Sequence, residues 1–329
     1  MSTMRKNLLL TLGAGLVALT ALLAGPAANA AYPDRPITLL VAYGAGGGTD
    51  VTARMLAPFI EKYLGEGARI VVLNRPGAGG EIGFAALAEA KADGYTIGFI
   101  NTPNFVTIPI ERTARYNPTA VDPLVNVIDD PGVMVVHNTN AIKSLTDLVD
   151  AARNAPNRIA VGTTGIGSDD HLGMLELERA AKIHMLLVPF ASDADATRAL
   201  LGHHIALEAM NLGEALRLRA EQPTRILGLM AAERMPEAPD LQTFKEQGFD
   251  VVMAAMRGIA APKGLPADIR ARLVDAITQA TQDPEFQAKA KASFQPLRIL
   301  GPEAYAAELI KADQRFRATW AETPWSAPR

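Results

Sequence analysis

Apolar positions along the chain recur at two alternating spacings. Ile37 to Tyr43 is a short β-prone run, glycines follow, and from Thr49 to Tyr63 the apolar residues fall at helical spacing. Ile70 to Leu73 predicts a second strand, a further glycine loop leads to a helix over about Glu81 to Lys91, and Asp93-Gly94 turns the chain into a strand over Thr96 to Ile100. This βαβαβ order predicts a mostly parallel sheet covered by helices.

A second series follows. Strands are expected at Val133 to His137, Ile159 to Gly162, Met185 to Pro189, Ile205 to Met210 and Arg225 to Met230. Between them lie helices at Leu145 to Ala155, with Ser144 as N-cap, and at Asp169 to Ala181, Asp193 to Leu201 and Gly213 to Ala220. The tail is helical, with starts near Pro266, Pro284 and Pro302. Its last helix sets Tyr305, Leu309, Ala312, Phe316 and Trp320 on one face.

Two segments are candidates to cross between the series: Asp129-Asp130-Pro131-Gly132 with the strand after it, and Val251 to Ala261. The expected organisation is one lobe from residues 31–132 and 256–329 and a second from 133–255. Two lobes joined by two crossings make a hinged cleft, the geometry of a ligand clamp.

The N-terminus adds an export reading. Arg5 and Lys6 precede an uncharged apolar stretch from Leu8 to Ala24, then Pro26, then Ala28-Asn29-Ala30 with small residues placed for cleavage. The expected leader is residues 1–30, cleaved after Ala30, which implies a periplasmic protein with no membrane insertion after cleavage. Residues 1–30 carry two cations and no acid, so their removal takes the formal charge from −3 to −5. That balance argues against nucleic acid as a partner. Cysteine is absent, which removes thiol catalysis and Cys-ligated metal; about 300 residues can bury a core without disulfides.

Three glycine-rich loops each end a strand and open a helix: Tyr43 to Asp50, Asn74 to Gly80 and Gly162 to His171. Helix N-termini present free N–H groups and partial positive charge, and glycine lets a ligand approach that backbone. Together they favour a carboxylate or phosphate. Two such ends facing each other hold one carboxylate with no buried cationic side chain. Phe190 and Asn211 follow further strands, where ligand crevices form in open α/β sheets.

Tyr32-Pro-Asp-Arg-Pro-Ile37, Gly46-Gly-Gly-Thr-Asp50, Asn74-Arg-Pro-Gly-Ala-Gly-Gly80, Ala92-Asp-Gly-Tyr-Thr96, Val188-Pro-Phe190, Leu200-Leu-Gly202 and Ala261-Pro-Lys-Gly-Leu-Pro266 occur in order. In that order and spacing the chain resembles the Bug family, periplasmic receptors of tripartite tricarboxylate transporters, over nearly its whole length beyond residue 30. The resemblance implies an α/β fold of the two-lobed periplasmic-binding-protein (Venus-flytrap) type, with mixed sheets, flanking helices and two crossing segments at a hinge. It implies capture of a small carboxylate and delivery to the membrane components of a tripartite transporter or, in some members, to a sensor kinase. Contacts carried over by position are Tyr43, Gly44, Ala45, Gly46 and Gly47, with Asp50 at the helix start; Asn101 and Thr102; Gly165, Ile166, Gly167 and Ser168; Phe190 and Asp193; and Asn211. A monomer with no cofactor and no metal is expected. Many members have Pro-Phe-Pro-Pro-Gly-Gly where this chain has Ala42 to Gly47, and Pro-Tyr-Lys-Gly where it has Pro189-Phe-Ala-Ser192. These departures bear on the ligand, not on the fold.

Enzyme readings fit poorly. A dinucleotide fingerprint would need glycine where Thr49 stands and an acid where Asn74-Arg75 stands. Ser168, Asp170 and His171 lack the Gly-x-Ser-x-Gly elbow and read as helix-start residues. Asp169, Asp170, Asp193 and Asp195 sit in or beside loops expected at the cleft; capping explains them, and their charge still opposes a polyanion such as citrate. A monocarboxylate, or an acid that also carries a hydroxyl, amine or aromatic ring, fits better.

Overall fold

The computed structural model describes residues 32–326, so the leader expected over residues 1–30 lies outside the described residues. The elements below all fall within the compact unit Arg35–Arg329.

Strands β1 (Ile37–Val41), β2 (Ile70–Asn74) and β3 (Thr96–Thr102) alternate with helices α1 (Gly48–Leu64) and α2 (Glu81–Ala88), and β1 pairs in parallel with both β2 and β3. Helix α3 (Asn104–Glu111) follows β3, and the chain then enters β4 (Val121–His137). The next stretch holds α4 (Leu145–Asn154), β5 (Ala160–Thr163), α5 (Asp169–Ala181), β6 (Leu186–Pro189), α6 (Asp193–Leu201), β7 (Leu207–Asn211), α7 (Leu212–Glu221) and β8 (Thr224–Leu229). After β9 (Ala254–Pro262) come α8 (Ala267–Gln282), α9 (Pro284–Ala292), β10 (Leu297–Leu300) and α10 (Pro302–Glu322). The class is therefore α/β with mixed sheets and flanking helices.

Strand β4 is the spine. Its first part, Val121 to Pro131, pairs antiparallel with β9, which lies on β3. Its second part, Gly132 to His137, pairs antiparallel with β7 and β8. The strand order β2-β1-β3-β9-β4-β7-β5-β6 thus changes series within one strand. Proline lacks a ladder donor, and the register shifts next to Pro123, while Pro131 is the last residue paired with β9. The second crossing lies beside the first: Gly132 N–H donates to Met253 C=O at 2.9 Å, and Met253 N–H donates to Met230 C=O at 3.0 Å.

Local chemistry sets several helix starts in the second series. Ser144, Ser168 and Ser192 each accept a hydrogen bond from a first-turn N–H of α4, α5 and α6, which fixes where those helices begin. Phe84, Phe105 and Tyr116 pack ring against ring beneath the first glycine loop, with Tyr43 edge-on to Phe84. In the tail, Tyr305 and Phe316 are buried and Leu309, Ala312 and Trp320 pack on the same core, as the helical spacing predicts.

The Tyr305 ring rests on the backbone of β9: a Cβ on Gly258 would lie 2.5 Å from it. Gly258→Ala is therefore expected to push α10 off the sheet and to destabilise the protein by about 1–3 kcal/mol, as overpacking does. Urea unfolding of the variant checks this through a lowered midpoint at unchanged slope.

Candidate functional site

Strand β9 is apolar except for Arg257, whose neighbours in the sheet are Asn101 on β3 and Ile128 on β4. Arg257 is 2% exposed. A guanidinium taken from water needs compensating partners; two come from the second series and one from β4 just before the crossing. Its Nη2 donates to Asn211 Oδ1 at 2.7 Å and to Glu214 Oε1 at 2.9 Å. Its Nη1 lies 3.5 Å from Asp130 Oδ2, within ion-pair range. Asp130 stands on β4 just before the crossing, Asn211 ends β7, and Glu214 is in the first turn of α7. Arg257 Nε and Nη1, Glu214 Oε2 and Asp130 Oδ2 are buried with no hydrogen-bond partner.

The same group meets the N-terminus of α1. A Cβ on Gly48 would lie 1.8 Å from Glu214 Oε1 and 2.2 Å from Arg257 Nη1. The glycine run is thus required for the ion pair to reach the helix end.

Between these elements lies a cavity of about 20 Å³, lined by Tyr43, Gly47, Gly48, Thr49, Asn101, Asn104, Thr164, Asp169, Asp193, Asn211, Ala255 and Arg257. That volume holds roughly one water molecule, so an organic solute enters only when the walls part. Of the residues expected at the site, Tyr43, Gly47, Asn101, Asp193 and Asn211 line this cavity. Gly165, Ile166 and Phe190 line a neighbouring cavity of about 350 Å³ against Gly77 to Gly80, and Thr164 borders both.

The others lie around the two cavities. A Cβ on Gly44 would lie 3.1 Å from Ser192 Cβ, and Ala45 is exposed. Asp50 Oδ2 accepts from Gly46 N–H at 2.9 Å and from Arg54 Nε at 3.0 Å, and Oδ1 accepts from Asn74 at 3.0 Å, so Asp50 braces the loop. Burial raises its pKa, but these bonds outweigh it and hold the carboxyl below its usual range. Gly167 C=O accepts from Thr107 Oγ1 at 2.7 Å, and Ser168 Oγ donates to Gly165 C=O at 2.8 Å while capping α5. Thr102 is buried with its hydroxyl unpaired.

The expectation of a cleft with no buried cation is corrected by Arg257. Its partners Glu214 and Asp130 were not among the expected site residues either. One signal marked it in the sequence: it is the single charge between Val251 and Ala261.

Acids dominate the surroundings. Burial pushes the Asp169 carboxyl up to about 6, against the Asn211 bond at 2.7 Å and the Arg257 charge. Burial and then the Glu214 charge push Asp193 up to about 7. Asp130, Asp170 and Glu208 are all raised well above the ordinary carboxylate range, burial being the largest cause in each. For Arg257 burial works against the charge, and the surrounding acids more than restore it. Asp170 Oδ2 accepts from Thr164 N–H at 3.1 Å and Oγ1 at 2.5 Å, while Asp195 turns outward to Arg198.

Carboxyls whose folded pKa exceeds the unfolded value stabilise the fold below the unfolded pKa, and that contribution is lost as pH rises through the folded pKa. For Asp169 and Asp193 the window runs from about 4, the unfolded value, to about 6 and about 7. Melting temperature is therefore expected to fall between pH 5 and pH 8, and Asp169→Asn with Asp193→Asn to flatten that slope. A scan of melting temperature against pH for both proteins checks it.

Comparison with known proteins agrees with this architecture. Residues 52–302 match the family model for the tripartite tricarboxylate transporter family receptor. Protein BugT of Bordetella pertussis is 31% identical over 274 residues, covering 82% of this chain and 83% of BugT. The structure of periplasmic binding protein BugD matches with a TM-score of 0.82 at 28% identity, covering 88% of this chain and 98% of that one. An R. palustris protein solved with adipate matches with a TM-score of 0.82 at 25% identity, over 88% of this chain and 97% of that one. With the shared strand β4, two crossings and a cavity at their junction, the chain has the periplasmic-binding-protein fold and belongs to the Bug family of tripartite tricarboxylate transporter receptors.

Proposed function

We propose that this protein is an exported receptor that closes on a small organic carboxylate and hands it to the membrane components of a tripartite tricarboxylate-type transporter. The observation that carries the reading is Arg257. A guanidinium has five N–H donors, and here Nε and Nη1 remain without an acceptor at the wall of a cavity that also holds the N-terminus of α1. A carboxylate accepts from such a fork in bidentate fashion, and the free N–H groups of a helix start add to it. The relative solved with adipate supports the ligand class.

The mechanism follows from the shared strand. Residues 31–132 with 256–329 act as one lobe and 133–255 as the other, bending at Pro131-Gly132 and at Met253. Opening separates Arg257 and the glycine loop from Asn211, Glu214 and Asp193. A solute enters, its carboxylate competes with Glu214 for the guanidinium, and closure excludes water. Nothing in this sequence of events makes or breaks a covalent bond, so the solute leaves unchanged. Among the described residues no helix is long and apolar enough to cross a membrane, and handover therefore falls to the partner.

Thermal-shift screening of the mature protein against a carboxylate panel is expected to raise the melting temperature for a subset of acids, because a ligand bound only by the native state stabilises it. Arg257→Gln combined with Glu214→Gln removes both charges together, so that neither is left buried without its counter-ion. Calorimetry of that variant is expected to show a loss of about 2–5 kcal/mol in carboxylate binding; undiminished affinity would place the anion elsewhere. Protein released from the host by osmotic shock is expected to begin at Ala31 on N-terminal sequencing.

A further inference from the structure

Taking carboxylate capture as given, the remaining walls of the cavity point to a second chemical feature of the solute. Arg257 is already matched by Glu214 and Asp130. Asp169 and Asp193 also face the cavity, and among the described residues neither forms a salt bridge of its own. Asp169 keeps one oxygen on Asn211 Nδ2 at 2.7 Å. Asp193 comes close to the first glycine loop, with Oδ2 3.4 Å from where a Cβ of Gly47 would be. These carboxylates alone are explained by helix starts, since both open a helix.

An independent observation says otherwise. Asn101, from the neighbouring strand β3, is 7% exposed and lines the same cavity. Its Nδ2 donates to Thr49 Oγ1 at 2.7 Å, and its Oδ1 is buried with no donor at all. A buried amide oxygen without a donor costs free energy, and this one stands on the cavity wall beside two carboxylates. Three acceptors from three elements, β3, α5 and α6, therefore converge on one small space. A protonated amine has three N–H donors and one positive charge. A second carboxylate of a dicarboxylic acid has neither, and Asp169 and Asp193 would repel it.

We propose that Asp169, Asp193 and Asn101 form a receiving site for a protonated nitrogen, so that the solute is an amino-bearing carboxylic acid lying with its carboxylate towards Arg257 and its ammonium towards the two aspartates. Selection then works by exclusion as much as by attraction: a plain carboxylic acid satisfies Arg257 but brings the two aspartates no counter-charge and the Asn101 oxygen no donor.

The test is calorimetry of the mature protein against matched pairs that differ by one amino group: succinate with aspartate, glutarate with glutamate, butyrate with 4-aminobutyrate, propionate with alanine. 1-Aminopentane serves as a cation lacking a carboxylate. At least one amino acid is expected to bind at least about tenfold more tightly than its deaminated partner. In Asp169→Asn combined with Asp193→Asn that ratio is expected to fall to near unity while the deaminated acid binds as well as before or better; a merely structural role would weaken both members of the pair. The wild-type comparison decides the matter even where the double variant does not fold. Equal or tighter binding of the deaminated acids overturns the nitrogen site and leaves carboxylate capture standing. Binding of 1-aminopentane with none for any acid supports the nitrogen site and overturns carboxylate capture. No binding across the panel overturns both.

Discussion

One buried guanidinium organises the junction of this molecule. Arg257 stands on β9, between β3 and β4, and its hydrogen bonds run to Asn211 and Glu214 on the far side of the shared strand. Desolvating that charge is expensive unless acids surround it, so the glycine at position 48, the acid at the first turn of α7 and the acid just before Pro131 are linked requirements. Gly48 leaves the space, Glu214 and Asp130 supply the charge, and β4 carries one partner to the point where the sheet changes series. In the proposed clamp, this ion pair links the separation of the two halves to the cavity: parting them frees a guanidinium for a carboxylate to re-pair.

The excess of acid around this single cation is the second constraint. Burial first, and neighbouring acids after it, raise the proton affinity of Asp130, Asp169, Asp170, Asp193 and Glu208, and Glu208 accepts from the Thr197 hydroxyl. An anionic solute entering such a site gains from Arg257 and the end of α1 and loses to the aspartates.

Much of the framework was legible in the sequence because local chemistry marks it. Helices α5 and α6 begin at Asp169 and Asp193, where they were expected, and Ser168 and Ser192 cap them. Strand β4 is longer than its pattern suggests: Pro123 and Pro131 read as breaks, yet the ladder absorbs them by shifting register and changing partner. Helix α3 hides behind Pro103 and Pro109, and β10 is a four-residue edge strand in a stretch that reads as a connection. At the site, the glycine loops announced close backbone approach. What approaches Gly48 is a side chain pair separated from it by more than 150 residues, and no local pattern encodes that contact. Arg257 could be singled out only as an odd charge in an apolar run.

The central claim is that Arg257 receives the carboxylate of the solute. Nitrogen-15 NMR of its side chain reads this directly, using the tightest-binding acid of a carboxylate panel and Arg54, which is held by Asp50 on the outer face of α1, as an internal control. On titration the Arg257 Nε–H signal is predicted to shift downfield and become protected from exchange in step with calorimetric saturation, while Arg54 stays put. A saturated complex in which the Arg257 signals do not move would contradict the account.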